Sequence, residues 1–201
     1  MLAMGFSGSP RENGNTNLLL RRCLGRMQDQ GVRTKLVSLT SLSILGCSAC
    51  GDCFKLMDGT CTLSDDFQPI YEELKHADII VVGSPVYFGS ASPALMSFLD
   101  RAGYVSGSEG GALSRKVGGP IAVARRAGHN FTYAQLLMWY MINDMVVPGS
   151  TYWNVGLARE PGAVENDAEA LRTIDRFADN LVWLARRTGG TRPTVQPGET
   201  I

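Results

Sequence analysis

A chain of 201 residues suffices for one large hydrophobic core and is cramped for two. Its 19 basic side chains balance 19 acidic ones and no basic run or basic helix face stands out, which argues against nucleic acid or a membrane as partner and leaves a small molecule. No apolar run reaches the length of a membrane span and the opening MLAMGFSGSPR lacks the features of a secretion signal, so a cytoplasmic protein is expected, where clustered cysteines favour metal or redox chemistry over structural disulfides.

Short apolar, mostly β-branched runs alternate with amphipathic stretches. Strands are predicted at 2–8, 34–39, 78–84 and 119–125, with a fifth within 146–155, and helices at 15–30, 65–77, 92–105, 131–145 and 165–188. The alternation predicts an α/β fold, a doubly wound parallel sheet with helices on both faces. Five strands suit the flavodoxin-like order 2-1-3-4-5, which places ligands outside the carboxyl ends of the strands. Residues 1–188 are expected to form a single domain. The apolar-poor tail 189–201 is expected to be loose or laid as an arm on a neighbour.

The first motif, GSPRENGNTN (8–17), follows the opening strand and delivers Ser9, Asn15, Thr16 and Asn17 to the start of a helix. Helix N-termini offer unpaired N–H groups and a positive dipole end, and Arg11 adds a fork suited to phosphate. No Gly-Lys-Ser/Thr follows, so this is not a Walker A loop. The plainer alternative is a strand-to-helix turn with Asn15 or Thr16 as an N-cap.

After the third strand, Pro85, Val86, Tyr87, Phe88, Gly89 and Ser90 make a stiff turn with an aromatic edge and free backbone N–H groups, suited to a planar isoalloxazine. Tyr87 and Phe88 serve equally as plugs above the sheet. After the fourth strand, Arg125, Arg126 and the backbone around Gly128 bring positive charge to where a reduced flavin would carry its negative charge. His129 either caps the next helix or touches the ligand.

The stretch GCSACGDCFKLMDGTC (46–61) holds four of the five cysteines: Cys47, Cys50, Cys53 and Cys61. Cys23 lies in the apolar and basic stretch LLLRRCLGRM and reads as a core thiol.

Together with PGSTYWN and the cysteine loop, the motifs GSPRENGNT, SPVYFGS and ARRAGHNFTYAQL resemble the NADPH-dependent FMN reductase-like flavodoxin-fold proteins, and specifically their iron–sulfur flavoprotein branch. The resemblance runs to about residue 187. It implies a tightly bound FMN, with Ser9, Arg11, Asn15 and Thr16 holding the phosphate and residues 85–90 lining the ring. That branch carries C-x2-C-x2-C-x4–7-C after the second strand, and the present spacing, C-x2-C-x2-C-x7-C, stands at the long end. Three thiols at successive x2 gaps can wrap a 4Fe–4S cluster, with Cys61 at the fourth corner. Structural zinc and metal-free thiols are the rivals, although zinc sites usually pair two separated hooks.

The implied function is an electron-transfer flavoprotein oxidoreductase. Its donor would be NAD(P)H or ferredoxin, and its acceptor a small oxidant. No catalytic acid–base residue is assigned. The alternatives are a cluster-free NAD(P)H:FMN or quinone reductase and a non-enzymatic redox sensor. Finally, apolar residues spread around most of the predicted helix 131–145, more than one buried face needs, which predicts a subunit interface in a homodimer or homotetramer.

Overall fold

A computed structural model describes residues 1–189; the tail from 190 onward lies outside the described residues. Five parallel strands, β1 (Leu2–Ser7), β2 (Arg33–Ser38), β3 (Ile79–Pro85), β4 (Val117–Ala124) and β5 (Val155–Leu157), pair in the order β2-β1-β3-β4-β5. The helices are α1 (Asn15–Gln28), α2 (Asp52–Leu56), α3 (Phe67–Lys75), α4 (Pro93–Ser108), α5 (His129–Ile142) and α6 (Ala168–Thr188). Among the described residues no helix is long and apolar enough to cross a membrane.

The strands differ as their positions require. All eight residues of β4 and all but the last of β3 are buried, as central strands covered on both faces are. Edge strand β2 exposes Arg33 and Lys35. The fifth strand overlaps the predicted range 146–155 only at Val155. Val146 makes an isolated bridge to Val117, and the paired segment begins nine residues later.

Two cores flank the sheet. One is built around Phe6, Phe67, Leu95 and Phe98, with Phe6 and Phe98 stacked at 5.0 Å. The other packs α1 and α6 through Leu19, Leu20, Phe177 and Leu181. Forked pairs from Arg22 to Asp175 and from Arg26 to Asp179 also join these two helices, at exposed positions where such pairs contribute little.

Central strand β4 contains Gly118, Gly119 and Pro120, an unexpected sequence for a sheet interior. Tyr140 of α5 and Phe177 of α6 account for much of it. Pro120 brings no N–H to the ladder, and the Tyr140 hydroxyl stands beside this gap, accepting from the Val82 amide at 3.0 Å and lying within 3.1 Å of the Ile80 and Gly119 carbonyls. A Cβ on Gly118 would come within 2.1 Å of the Ile80 carbonyl and 2.7 Å of the Tyr140 ring, and one on Gly119 within 2.8 Å of the Phe177 ring.

Candidate functional site

The carboxyl ends of β1, β3, β4 and β5 converge on a cavity of about 140 Å³. Ser9, Arg11, Asn15, Thr16, Pro85, Val86, Tyr87 and Arg125 all line it, so three separate sequence motifs meet at one place. It is smaller than a pocket that encloses a whole ligand and suits one anionic head group. The N-cap of α1 is Gly14, and no side chain caps this end. The amides of residues 15–17 therefore point into the first turn without the usual side-chain acceptor, as an anion site requires.

Several expected residues shape the cavity from behind. Asn17 donates through Nδ2 to the carbonyls of Arg11 at 2.9 Å and Glu12 at 3.0 Å, so its side chain holds the loop. Asn15 bonds across to the segment after β5. What these two asparagines can offer an anion is their backbone N–H. The Ser9 hydroxyl accepts from the Arg11 amide at 3.3 Å, and the Ser9 carbonyl accepts from Thr40 Oγ1 at 3.0 Å, which ties the loop to the end of β2.

Residues 87–90 form a tight hairpin turn, with Tyr87 and Ser90 exchanging backbone hydrogen bonds at 2.9 and 3.0 Å. Both central residues, Phe88 and Gly89, have positive φ. For a bulky side chain this conformation is strained. Phe88 is fully exposed at the tip, so it does not plug the core. Gln135 of α5 fixes the turn by accepting from Ser90 Oγ at 3.0 Å and from the Ala91 amide at 2.9 Å. Gly128, at φ +86°, begins α5, and a side chain there would press on Val86 and Gly89. Phe88, Gly89, Ser90, Arg126 and Gly128 lie outside the cavity's lining, and Arg126 is exposed.

Sequence reasoning missed Arg159. It lines the same cavity from the end of β5, making three guanidinium groups there with Arg11 and Arg125. Placing the fifth strand too early hid it, since the residues after a strand's carboxyl end are the ones that face the site.

A second cavity, of about 110 Å³, is lined by all four clustered cysteines together with Arg101 and Tyr104 of α4. No residue lines both cavities among those described. Positive φ at Ala49, Gly51, Met57 and Gly59 repeatedly reverses the chain, and the short helix α2 carries Cys53. The Cys61 amide donates to Gln68 Oε1 at 3.0 Å, while Gln68 Nε2 donates to the Gly59 carbonyl at 2.9 Å, so α3 brackets the last thiol. All five cysteines are free, and Cys23 is buried in α1, where burial pushes its thiol far above the ordinary value. Among the described residues no three His, Cys, Asp or Glu side chains are gathered as a single metal ion needs.

Residues 1–160 match the family described as NADPH-dependent FMN reductase. An iron–sulfur flavoprotein of Methanocaldococcus jannaschii is 36% identical over 92% of this chain and 98% of its own. An iron–sulfur flavoprotein of Methanosarcina thermophila is 30% identical over 90% and 93%. The crystal structure of RosB with bound 8-demethyl-8-formylriboflavin-5'-phosphate superposes with a TM-score of 0.76 at 19% identity, covering 96% of this chain and 82% of that one, a likeness of fold. With its flavodoxin-like strand order and an arginine-lined cavity at the strand ends, the chain belongs to the NADPH-dependent FMN reductase family and is a flavin-dependent oxidoreductase.

Proposed function

We propose that the chain binds FMN with its phosphate in the arginine-lined cradle and its ring beside residues 85–90, and a 4Fe–4S cluster on Cys47, Cys50, Cys53 and Cys61. The observation that carries this reading is the pair of separate cavities, one cationic with free helix amides and the other lined by four thiols. Thiols arranged around a cavity suit a cluster, which takes each thiolate at a different iron. When bound, FMN takes up electrons in pairs and releases them singly while the cluster moves one at a time, which joins NAD(P)H or ferredoxin to a small oxidant.

The protein's part is placement and charge. Arg11, Arg125 and Arg159, with the amides of residues 15–17, neutralise the phosphate. Val86 and Tyr87 supply the apolar and aromatic wall. Burial pushes the Cys53 thiol up, so iron loading there releases a proton. The exposed outer face of α5 supports a homodimer or homotetramer.

The test is iron and sulfide analysis, with absorption spectra, of anaerobically prepared protein and of serine variants. Replacing any of the four clustered cysteines should lower iron content, and Cys23→Ser should not. Full iron loading in Cys61→Ser would remove that residue from the set. A cluster-free NAD(P)H:FMN reductase is the second reading, favoured by the cradle's being complete without any cysteine-loop residue. It predicts flavin binding and NAD(P)H oxidation with neither iron nor sulfide.

A further inference from the structure

Arg101 lies within α4 with 1% of its side chain exposed, a rare location for a guanidinium. Its Nη1 donates to Asp65 Oδ2 at 2.5 Å and to the Leu45 carbonyl at 3.2 Å, while its Nη2 donates to Cys61 Sγ at 3.2 Å. The guanidinium carbon sits 4.1 Å from the centre of the Phe67 ring. Its Nε is buried with no acceptor among the described residues. Asp65 in turn accepts from the amides of Leu45 at 2.8 Å and Phe67 at 3.1 Å. One ion pair therefore gathers the chain on both sides of the cysteine loop, just before Cys47 and just after Cys61.

A buried ion pair is weak evidence for a stabilising role, because apolar side chains of similar volume often do as well. This pair has two features that a purely structural one does not need, a donor aimed at sulfur and an unpartnered N–H on a residue that lines the thiol cavity. Cys61 is also the thiol set apart from the compact run, eight positions beyond Cys53. We propose that Arg101 is a positioning residue for the cluster: it holds Cys61 through an N–H···S bond, and that bond raises the cluster's reduction potential. The proposal rests on the iron–sulfur reading above. Reduction adds negative charge to the cluster, and hydrogen bonds to sulfur favour the more negative state, while the Asp65 carboxylate offsets the guanidinium's own charge.

The test uses full-length protein loaded anaerobically with iron and sulfide. Two variants are compared with it: Arg101→Lys, which keeps the charge and loses the fork, and Arg101→Met with Asp65→Asn, which leaves no buried carboxylate unpaired. FMN content reports whether each variant folds. The double variant should keep FMN and show a cluster midpoint lowered by at least the equivalent of tenfold in the reduction equilibrium, ~59 mV for one electron; Arg101→Lys should fall by less. Loss of iron from the double variant, with FMN kept and iron restored by lysine, supports the hold on Cys61. A midpoint unchanged from wild type in a fully loaded double variant overturns the proposal. Wild-type protein that binds FMN and takes up no iron refutes the cluster reading itself, a result distinct from an unchanged midpoint.

Discussion

Asn15 donates through Nδ2 to the Glu160 carbonyl at 2.9 Å and accepts at Oδ1 from the Val164 amide at 3.2 Å. Groups about 145 positions apart are thereby joined, and the start of α1 is locked to the segment that presents Arg159. Asn15→Ala removes both bonds and leaves the buried Val164 amide unpaired, at a cost of roughly 1–3 kcal/mol, while the Glu160 carbonyl keeps the Ala163 amide. FMN affinity measured by flavin fluorescence should fall about tenfold, although the lost side chain need not touch the ligand. Unchanged affinity would mean that the cradle holds its shape without this bracket.

The three guanidinium groups give the cradle a ligand signature. Charge-assisted hydrogen bonds are each worth roughly 1.5–3 kcal/mol. Arg11→Ala and Arg159→Ala should therefore weaken FMN by about tenfold or more and leave riboflavin, which has no phosphate, nearly unaffected. Equal losses for both ligands would assign these arginines to packing. The FMN advantage over riboflavin should also shrink with added salt, because these side chains are exposed.

How much of this was legible in the sequence depends on distance along the chain. Ser9, Arg11 and Thr16 are delivered by one loop, and the three x2-spaced cysteines by another, so local spacing revealed both. Arg159 and Arg101 reach their cavities through topology. Arg101 occupies a helical position that reads like any other charged residue until α4 is packed against the cysteine loop. Five-residue α2 is too short for periodicity to register, and three-residue β5 carries too little pattern to fix its start. Gly118, Gly119 and Pro120 look wrong for a central strand until Tyr140 and Phe177 are in place.

Tyr140→Phe should destabilise the fold without altering flavin chemistry. The change leaves the Val82 amide without its acceptor at a fully buried position, costing roughly 1–3 kcal/mol. Urea unfolding should show a lower midpoint with an unchanged slope, and FMN affinity should stay near wild type.

Alkaline stability follows from buried acids. Burial pushes the Cys23 thiol and the Tyr140 hydroxyl upward, and burial followed by the Glu109 carboxylate does the same to Tyr71. Each group stays protonated when folded and loses its proton when unfolded, so the unfolded state binds fewer protons and stability falls as pH rises. The decline should start near the ordinary thiol value of 9.0 and steepen past 10.0, where tyrosines ionise in the unfolded chain. Each group contributes about 1.4 kcal/mol per pH unit. Urea titrations at stepped pH should show Cys23→Ala losing the slope between these two values and keeping the steeper one above.

The outer face of α5 makes the last prediction. Leu136, Trp139 and Tyr140 face inward, while Phe131, Met138, Met141 and Ile142 are 75%, 69%, 66% and 61% exposed. A helix that served only its own sheet would place polar residues there. Beside it, between α4 and α5, lies a groove of about 520 Å³ lined by Leu99, Tyr104, Trp139 and Ile142 together with Gly103 and Gly107. Glycine inside a helix costs about 1 kcal/mol relative to alanine, and two of them one turn apart leave room for a close approach. A second copy meets the requirement, since its own α5 presents the same apolar face for a self-complementary contact. Such an assembly also addresses the separation of the thiol cavity from the flavin cradle, by bringing one subunit's cysteine loop toward another's FMN. Light scattering after size exclusion should give at least a dimer for the wild type and a monomer for Met138→Asp combined with Ile142→Asp, with FMN retained. Flavin reduction from a reduced cluster should then slow in the monomeric variant. A wild-type protein that stays monomeric at micromolar concentration defeats the interface, and equal rates in monomer and assembly defeat the transfer between subunits.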